Sequence, residues 1–149
     1  MKNFQRNGAI SNTDVGRDFE AKARAFFAKQ GITLQSSISV PIGIEGKTKP
    51  HAFDLGDLDQ KVIVECKSHT WTESENVPSA KITTWDQAMF FFHAAPKDLR
   101  KVFFVLKHYS AKRGATLADY YLRTKEHLIP SEVEFWEYDE RTSEAVRKR

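Results

Sequence analysis

The sequence is poor in the residues that indicate a disulfide framework, a membrane span or a flexible linker. Its 149 residues include one cysteine, five prolines and seven glycines. A single cysteine excludes an internal disulfide and is typical of a reducing compartment. No apolar run approaches the roughly 20 residues that cross a bilayer, and residues 1–6 lack the apolar stretch of a signal peptide. We therefore expect a cytoplasmic protein with no membrane partner.

An excess of charge of one sign is also lacking, and no segment of biased composition divides the chain. There are 23 lysines and arginines against 20 acidic residues, which gives a formal net charge of +3. Such a balance neither demands nor excludes nucleic acid, because clustering on one face matters more than the total. The length suits one domain with a buried core. We predict a single domain over residues 1–149.

Apolar periodicity predicts the order helix, three strands, helix, strand, followed by one more helix and strand. The first helix begins at Asn12 or Thr13 and ends at Gly31, since apolar side chains recur at helical spacing between them. Residues 68–82 are polar without periodicity, so they predict a long loop. This order predicts an α/β fold with a central mixed sheet flanked by helices.

The second half of the chain carries further predictions of local structure. Thr84 can cap a second helix that runs to about Ala94, because Pro96 forbids its continuation. Residues 133–138 predict an edge strand. The basic run 147–149 predicts a frayed, solvated tail, with a phosphate contact as the alternative interpretation.

Asp54 and the pair Glu65 and Lys67 lie on two short predicted strands joined by a polar turn. Side chains alternate along a strand, so Glu65 and Lys67 share one face. If the turn is centred near residues 58–59, Asp54 lies opposite Ile63, on the face of Glu65 and diagonal to it. Diagonal neighbours are about 7–8 Å apart, which lets two carboxylates reach one cation.

These residue types suit the hydrolysis of a phosphodiester. The reaction needs a hydroxide-like nucleophile, stabilised charge on a phosphate oxygen and help for the leaving oxygen. Two carboxylates are hard oxygen ligands that select Mg²⁺, which can lower the pKa of a coordinated water. Lys67, on the same strand face, could orient that water or neutralise developing charge. A solvated Glu-x-Lys pair on an exposed strand is the alternative interpretation.

At these positions the chain resembles the PD-(D/E)xK nuclease superfamily, whose restriction-endonuclease-like core has the order αβββαβ. The resemblance covers about two thirds of the chain. It implies metal ligation by Asp54 and Glu65, a third metal contact from the main-chain carbonyl of Cys66, and catalytic work for Lys67. Phe53 stands where the name-giving pattern has proline, a position that varies within the superfamily.

The resemblance also implies site residues on two helices. Members often carry a glutamate on the first helix in a pattern like residues 16–20, which assigns Glu20 to the site; an ion pair with Arg24, four residues on, is the alternative. Some members place a glutamine on the second helix facing the metal, which points to Gln87. A capping box with Thr84 would explain Gln87 equally.

The predicted function is that of a Mg²⁺-dependent endodeoxyribonuclease, a hydrolase of the restriction, intron-homing or junction-resolving type. Cutting both strands of a DNA duplex calls for two active sites, so we expect a homodimer or a dimer of dimers. A non-catalytic DNA-binding or assembly protein that retained the fold is the alternative, and the complete Asp, Glu and Lys set argues against it. The candidate nucleic-acid contacts are Lys47, Lys49, His51, Lys81, Lys107, Lys112 and Arg113.

Overall fold

Within the described chain, six strands form one mixed sheet and two short strands form a separate hairpin. The computed structural model describes residues 12–149. The helices are α1 (Asn12–Ala28), α2 (Ser79–Ala94) and α3 (Leu117–Lys125), and a 3-10 turn at Glu126–Leu128 extends the last of them. The strands are β1 (Gln35–Ile44), β2 (Lys47–Asp57), β3 (Val62–Lys67), β4 (Arg100–Leu106), β5 (Tyr109–Ser110), β6 (Ala115–Thr116), β7 (Val133–Asp139) and β8 (Glu144–Arg147), of which β5 and β6 form the hairpin.

The sheet has the strand order β1-β2-β3-β4-β7-β8. β3, β4 and β7 are parallel neighbours, and the other neighbouring pairs are antiparallel. Parallel neighbours need crossover connections, which α2 and α3 supply. Both crossovers step the same way across the sheet, so the right-handed rule puts both helices on one face. The predicted α/β fold with a mixed sheet flanked by helices is confirmed.

Each face of the sheet has its own apolar cluster. The α1-side cluster joins Phe19 of α1 to Val64 of β3. The α2-side cluster joins Ile63 of β3 to Trp85 of α2. Ile63 and Val64 are neighbours that point to opposite faces, as strand alternation requires. Glu65 is the next residue along β3, and it is a buried charged group beside this core.

α1 ends where the sequence predicts. Gly31 has a φ of 80°, a left-handed conformation that glycine adopts without strain. The Ile32 N–H donates to the Phe27 carbonyl at 3.0 Å, which satisfies one of the last helical acceptors.

α2 begins five residues before the predicted cap. Its first residue, Ser79, follows Pro78, and no side chain caps the helix. The Thr84 hydroxyl instead donates to the Lys81 carbonyl at 2.6 Å inside the helix. The predicted start at Thr84 is therefore wrong, and so is the capping box that depended on it.

β7 is an inner strand, because β8 pairs along its outer side. Beyond β8, the Lys148 N–H donates to the Phe135 carbonyl at 2.7 Å, and the Arg149 guanidinium donates to the Pro130 carbonyl at 3.1 Å. Lys148 Nζ lies 2.9 Å from the Asp119 carboxylate. The predicted edge strand and the predicted frayed tail are both wrong, since this segment has main-chain and carboxylate partners.

The carboxyl ends of β3, β4 and β7 lie at one edge of the sheet because the three strands are parallel. β3 reaches this edge with Glu65, Cys66 and Lys67. Ligands of open α/β sheets commonly bind at the carboxyl ends of the strands. Among the helices of residues 12–149, none is long and apolar enough to span a bilayer.

Candidate active site

Asp54 lies at a break in both strand ladders that pass through β2. The β1–β2 register pairs the residues on either side of Asp54 but leaves out Asp54 and Ser37. The β2–β3 ladder stops one residue short of it, at Leu55↔Val64. Ser37 has a φ of 56°, an uncommon conformation for a residue with a side chain. The break frees the main chain of Asp54 from regular sheet pairing.

The side chains of β2 also change to the opposite face of the sheet at Asp54. Phe53 stacks on Phe92 of α2 with ring centroids 5.3 Å apart, whereas Leu55 belongs to the α1-side cluster. Residues two apart in a regular strand face the same side. The reversal between them brings Asp54 to a groove beside α1, where it lies with Glu20.

The register of the β2–β3 hairpin differs from the prediction by two residues. Ile63 pairs with Gly56, and the same register continued past Leu55 sets Asp54 opposite Glu65. The predicted pairing of Asp54 with Ile63 is wrong because the turn, at residues 58–61, is centred one residue later than predicted. A shift of two residues preserves the alternation of faces, so Asp54 and Glu65 still converge.

Two hydrogen bonds from main chain to side chain replace the missing ladder. The Asp54 N–H donates to Glu65 Oε1 at 3.1 Å, and the Cys66 N–H donates to Asp54 Oδ2 at 2.9 Å. Each carboxylate therefore holds the opposite strand. Both side chains are fixed by these reciprocal bonds, as a preorganised site requires.

The electrostatics of this pair are unfavourable in the protein alone. Glu65 is 8% exposed, and burial together with the nearby Asp54 carboxylate raises its pKa to about 8, against the opposing effect of Lys67. Burial and Asp54 also raise the pKa of Glu20, which Arg17 partly offsets. Buried carboxylates with so little positive charge beside them favour either a bound proton or a cation.

Cys66 contributes its main chain rather than its thiol. Burial, followed by the charges of Asp54, Glu65 and Glu20, raises the pKa of the Cys66 thiol well above its usual value. A thiol that stays protonated is neither a nucleophile nor a metal ligand. Only the Cys66 carbonyl fits the role that the sequence assigned to this residue.

The oxygen donors in this region suit a hard cation. Within residues 12–149, no three side chains from His, Cys, Asp and Glu form a group that could hold a metal ion. The predicted set is smaller, since it has two carboxylates, Asp54 and Glu65, and the carbonyl of Cys66. These donors match the preference of Mg²⁺, which keeps several waters and takes only one or two carboxylates. The deficit of positive charge around Glu65 is consistent with the same ion.

The groove beside α1 has a volume of about 470 Å³ and opens to solvent. Glu20 lines it from α1, and Asp54 and Ser37 line it from β2 and β1. Glu20 forms no salt bridge with Arg24 in the described chain, so the interpretation as an ordinary helical ion pair is not supported. The structure brings Glu20 into the electrostatic neighbourhood of Asp54 and Cys66.

Gln87 lies outside this arrangement. Its side chain is exposed on α2, and within residues 12–149 it makes no hydrogen bond. The capping box with Thr84 is excluded by the earlier start of α2. A role for Gln87 at the metal stays a prediction.

His51 is held by packing. Its ring lies 4.1 Å from the Phe91 ring and 4.8 Å from the Phe53 ring, centroid to centroid. Its Nε2 atom is buried and has no hydrogen-bond partner in the described chain. Burial lowers the pKa of His51, although Asp54 opposes the shift. This environment favours a neutral ring that supports the strand over a phosphate contact.

The cations predicted to contact nucleic acid divide into those without an ion pair and those that have partners within the protein. Lys47, Lys49 and Lys81 are exposed, and within residues 12–149 none of them forms an ion pair. Lys107 Nζ lies 3.8 Å from the Asp139 carboxylate.

The last two of these cations, Lys112 and Arg113, are tied to the loop that follows β3. The Lys112 N–H donates to the Glu75 carboxylate at 3.2 Å. The Arg113 guanidinium donates to the Glu75 carbonyl at 2.9 Å and lies 5.5 Å from the Trp71 ring centroid. These contacts hold the loop, so Arg113 is less available to a phosphate.

Two arginines and a serine of the groove are not among the residues predicted from the sequence. Arg17 and Arg24 line it from α1, on either side of Glu20, and Ser37 lines it from β1. The spacing i, i+3, i+7 of the three α1 residues places them on one helical stripe and could have indicated the arginines. The left-handed backbone of Ser37 has no signal in the sequence.

Comparisons with protein-family models, curated proteins and solved structures found no match for this chain. Its interpretation therefore rests on the geometry of the site.

Proposed function

We propose that this protein is a metal-dependent DNA endonuclease with the restriction-endonuclease-like core of the PD-(D/E)xK superfamily. One observation carries the proposal: Asp54 and Glu65 hold each other's strands by reciprocal hydrogen bonds at 3.1 and 2.9 Å. Lys67 follows Glu65 by two residues, at the carboxyl edge of β3. Nothing in the apolar core requires two converging carboxylates at this point, and their mutual repulsion opposes the fold.

The side chains can divide the work of phosphodiester hydrolysis. Asp54, Glu65 and the Cys66 carbonyl would hold Mg²⁺, which when bound supplies charge to a phosphate oxygen and makes water more acidic. Lys67 would orient the attacking water or neutralise the charge that develops on the phosphate. Glu20, on the other wall of the groove, would accept a hydrogen bond from water at the site.

The geometry of the site also carries the expectation for assembly. Each chain supplies one Asp54–Glu65 pair, and symmetric cleavage of both strands of a duplex calls for two active sites, so we expect a homodimer or a dimer of dimers. Phe90, which is 56% exposed on α2, offers an apolar group for such a contact. Sedimentation at micromolar concentration, with and without DNA, tests this expectation, and a monomer in both conditions would contradict it.

The central test is cleavage of supercoiled plasmid. The wild-type protein should cut in Mg²⁺ or Mn²⁺ and not in EDTA, and Ca²⁺ should allow binding without turnover because its looser coordination positions water poorly. Asp54→Asn should abolish cutting. Asp59→Asn, the same chemical change at an exposed position of the same hairpin, should leave it intact. Undiminished cutting in EDTA, or by Asp54→Asn, would exclude this mechanism.

A further inference from the structure

We propose that the groove beside α1 is the track of the cleaved DNA strand, and that Arg17 and Arg24 bind the phosphates on either side of the scissile phosphate, which would lie at the metal site of Asp54 and Glu65. The inference rests on the proposed function and names the binding residues of the same site. It assigns α1 to substrate binding, in addition to its packing against the sheet.

The positions of the two arginines follow from helix geometry. Arg17, Glu20 and Arg24 lie on one stripe of α1 that faces the groove. With a rise of 1.5 Å per residue, Arg17 and Arg24 are displaced along the axis by about 4.5 Å and about 6 Å from Glu20, in opposite directions. A cation thus stands on each side of the acidic centre, along a groove of about 470 Å³.

The charges that line the groove favour a polyanion as its ligand. Glu20 and Asp54 alone would repel a phosphate chain, and the two arginines offset that repulsion on both sides. A cationic ligand would meet the arginines wherever it extended beyond the acidic centre. Ser37, on the opposite wall, adds an uncharged hydroxyl donor.

Both arginines are free to bind a ligand. Their side chains are exposed, and within residues 12–149 neither makes a hydrogen bond or a salt bridge. Arg100 and Arg149, by contrast, donate to carboxylate or carbonyl oxygens of the protein itself. A guanidinium with its donors free is well suited to a phosphate, which it can bind through two parallel hydrogen bonds.

The test measures the binding of a fluorescein-labelled DNA duplex by anisotropy, with Ca²⁺ in place of Mg²⁺, over a series of salt concentrations. Arg17→Gln and Arg24→Gln should each weaken binding by about five- to tenfold and reduce the slope of log K against log [salt] by about 0.9. The double variant should reduce the slope by about twice as much. Arg24→Lys keeps the charge, so it should preserve the slope while losing part of the affinity.

Lys29→Gln is the matched control, because Lys29 is an exposed cation just beyond the end of α1 and outside the groove. It should change affinity by less than about twofold. In cleavage assays the arginine variants should raise KM and keep kcat within about threefold, since these contacts exist in both the bound and the transition state. Thermal melting of each variant establishes that it is folded.

The outcomes separate this inference from the proposed function. If the wild type cuts DNA and the arginine variants bind and cut as it does, the track is wrong and the nuclease stands. If binding depends on both arginines but no metal supports cutting, the phosphate contacts stand and the nuclease is wrong. A wild type that does not bind the duplex overturns both.

Discussion

Carboxylates on the two sides of β4 differ in whether the protein supplies partners for their charge, and therefore in the direction of their pKa shifts. On the β7 side, Glu134 accepts hydrogen bonds from Arg100 at 2.8 and 3.0 Å and from the Trp136 indole at 3.0 Å. Burial alone would raise the pKa of Glu134, but these bonds outweigh it and lower the pKa. On the β3 side, burial and Asp54 raise the pKa of Glu65 to about 8.

The same contrast extends to the neighbours of each group. Glu132 on the β7 side has Lys101 Nζ at 3.3 Å, and its pKa falls although burial opposes the shift. Glu20, in the groove, has a raised pKa because burial and Asp54 outweigh Arg17. The paired side satisfies its charges within the protein, whereas Glu20 and Glu65 form no salt bridge within residues 12–149.

We infer from this difference that the paired side stabilises the protein and propose that the groove side binds a ligand. Paired carboxylates need nothing from outside, so their contribution is to the free energy of folding. Perturbed, under-neutralised carboxylates cluster at functional sites, because a substrate or cation supplies what the fold leaves out. Matched substitutions on the two sides should therefore have opposite effects on stability and on cleavage.

The largest expected effect is on cleavage and comes from Lys67, which ends β3 beside the carboxylates. Lys67→Ala should lower the rate of cleavage by about a thousandfold, because a charge aimed at the transition state is lost. DNA affinity should stay within a few fold, since one cation among many contributes little to binding. Lys67→Arg should fail too, because a planar guanidinium cannot replace a compact ammonium.

Lys107→Ala is the control for Lys67, since Lys107 follows the adjacent strand β4 at the same edge of the sheet. It should cut at close to the wild-type rate. Wild-type rates in Lys67→Ala would remove the catalytic role. If Lys67→Ala only weakens binding, and the wild type cuts nothing, a non-catalytic DNA-binding protein is the better description.

The next effect is on stability and belongs to the paired side. Glu134→Gln should lower the free energy of unfolding by roughly 2 kcal/mol, because the Arg100 guanidinium loses a charged acceptor. Urea denaturation measures this, and the folded variant should cut DNA normally. Glu144→Gln, at an exposed position of β8, should be neutral. Loss of cleavage in a folded Glu134→Gln would break the division between the two sides.

Much of the geometry of the candidate site could be predicted from the sequence, because strand alternation is local. The shared face of Glu65 and Lys67 follows from a period of two, and convergence with Asp54 survives a shift of two residues. The register itself was out of reach, because it depends on a turn at residues 58–61 in which Lys61 has a φ of 52°. No propensity indicates a left-handed lysine.

Other features depend on partners that are distant in the chain. The ladder break at Asp54 depends on Ser37 of β1. The fixed conformation of the last residues depends on acceptors from other elements, such as Asp119 of α3 for Lys148. Sequence patterns describe neighbours along the chain, so they predicted a frayed tail where tertiary contacts hold Lys148 in place. The stripe of α1 that carries Arg17 and Arg24 was local and could have been found.

A smaller effect tests the groove side through pH. The folded pKa of Glu65, about 8, lies above its unfolded value of 4.5. Between these values the folded protein keeps a proton that the unfolded chain has released, so stability without metal should fall as the pH rises from about 4.5 to about 8. Glu65→Gln removes the titrating group and should therefore stabilise the protein relative to the wild type near pH 8 in EDTA.

Denaturation curves of Glu65→Gln and the wild type from about pH 5 to about pH 9 measure this difference. The difference between the two proteins should shrink as the pH falls toward 4.5, the pKa of Glu65 in the unfolded chain. Mg²⁺ should stabilise the wild type and not Glu65→Gln, because a bound ion favours the folded state only where its ligands are present. A Glu65→Gln variant less stable than the wild type at every pH would contradict the inference that the ionised Glu65 carboxylate destabilises the folded protein without metal.

The smallest effect compares one free surface cation with one paired cation. Lys49 is exposed on β2 and forms no ion pair within residues 12–149, whereas Lys107 lies 3.8 Å from Asp139. Lys49→Gln should weaken duplex binding by about two- to threefold and lower the salt slope by about 0.9, as expected for one phosphate contact. Lys107→Gln should change both quantities less, because Asp139 already offsets its charge. Equal losses in the two variants would mean that exposed ion pairs are too weak to withhold a cation from DNA, and the contrast between the two sides would then hold only for buried groups.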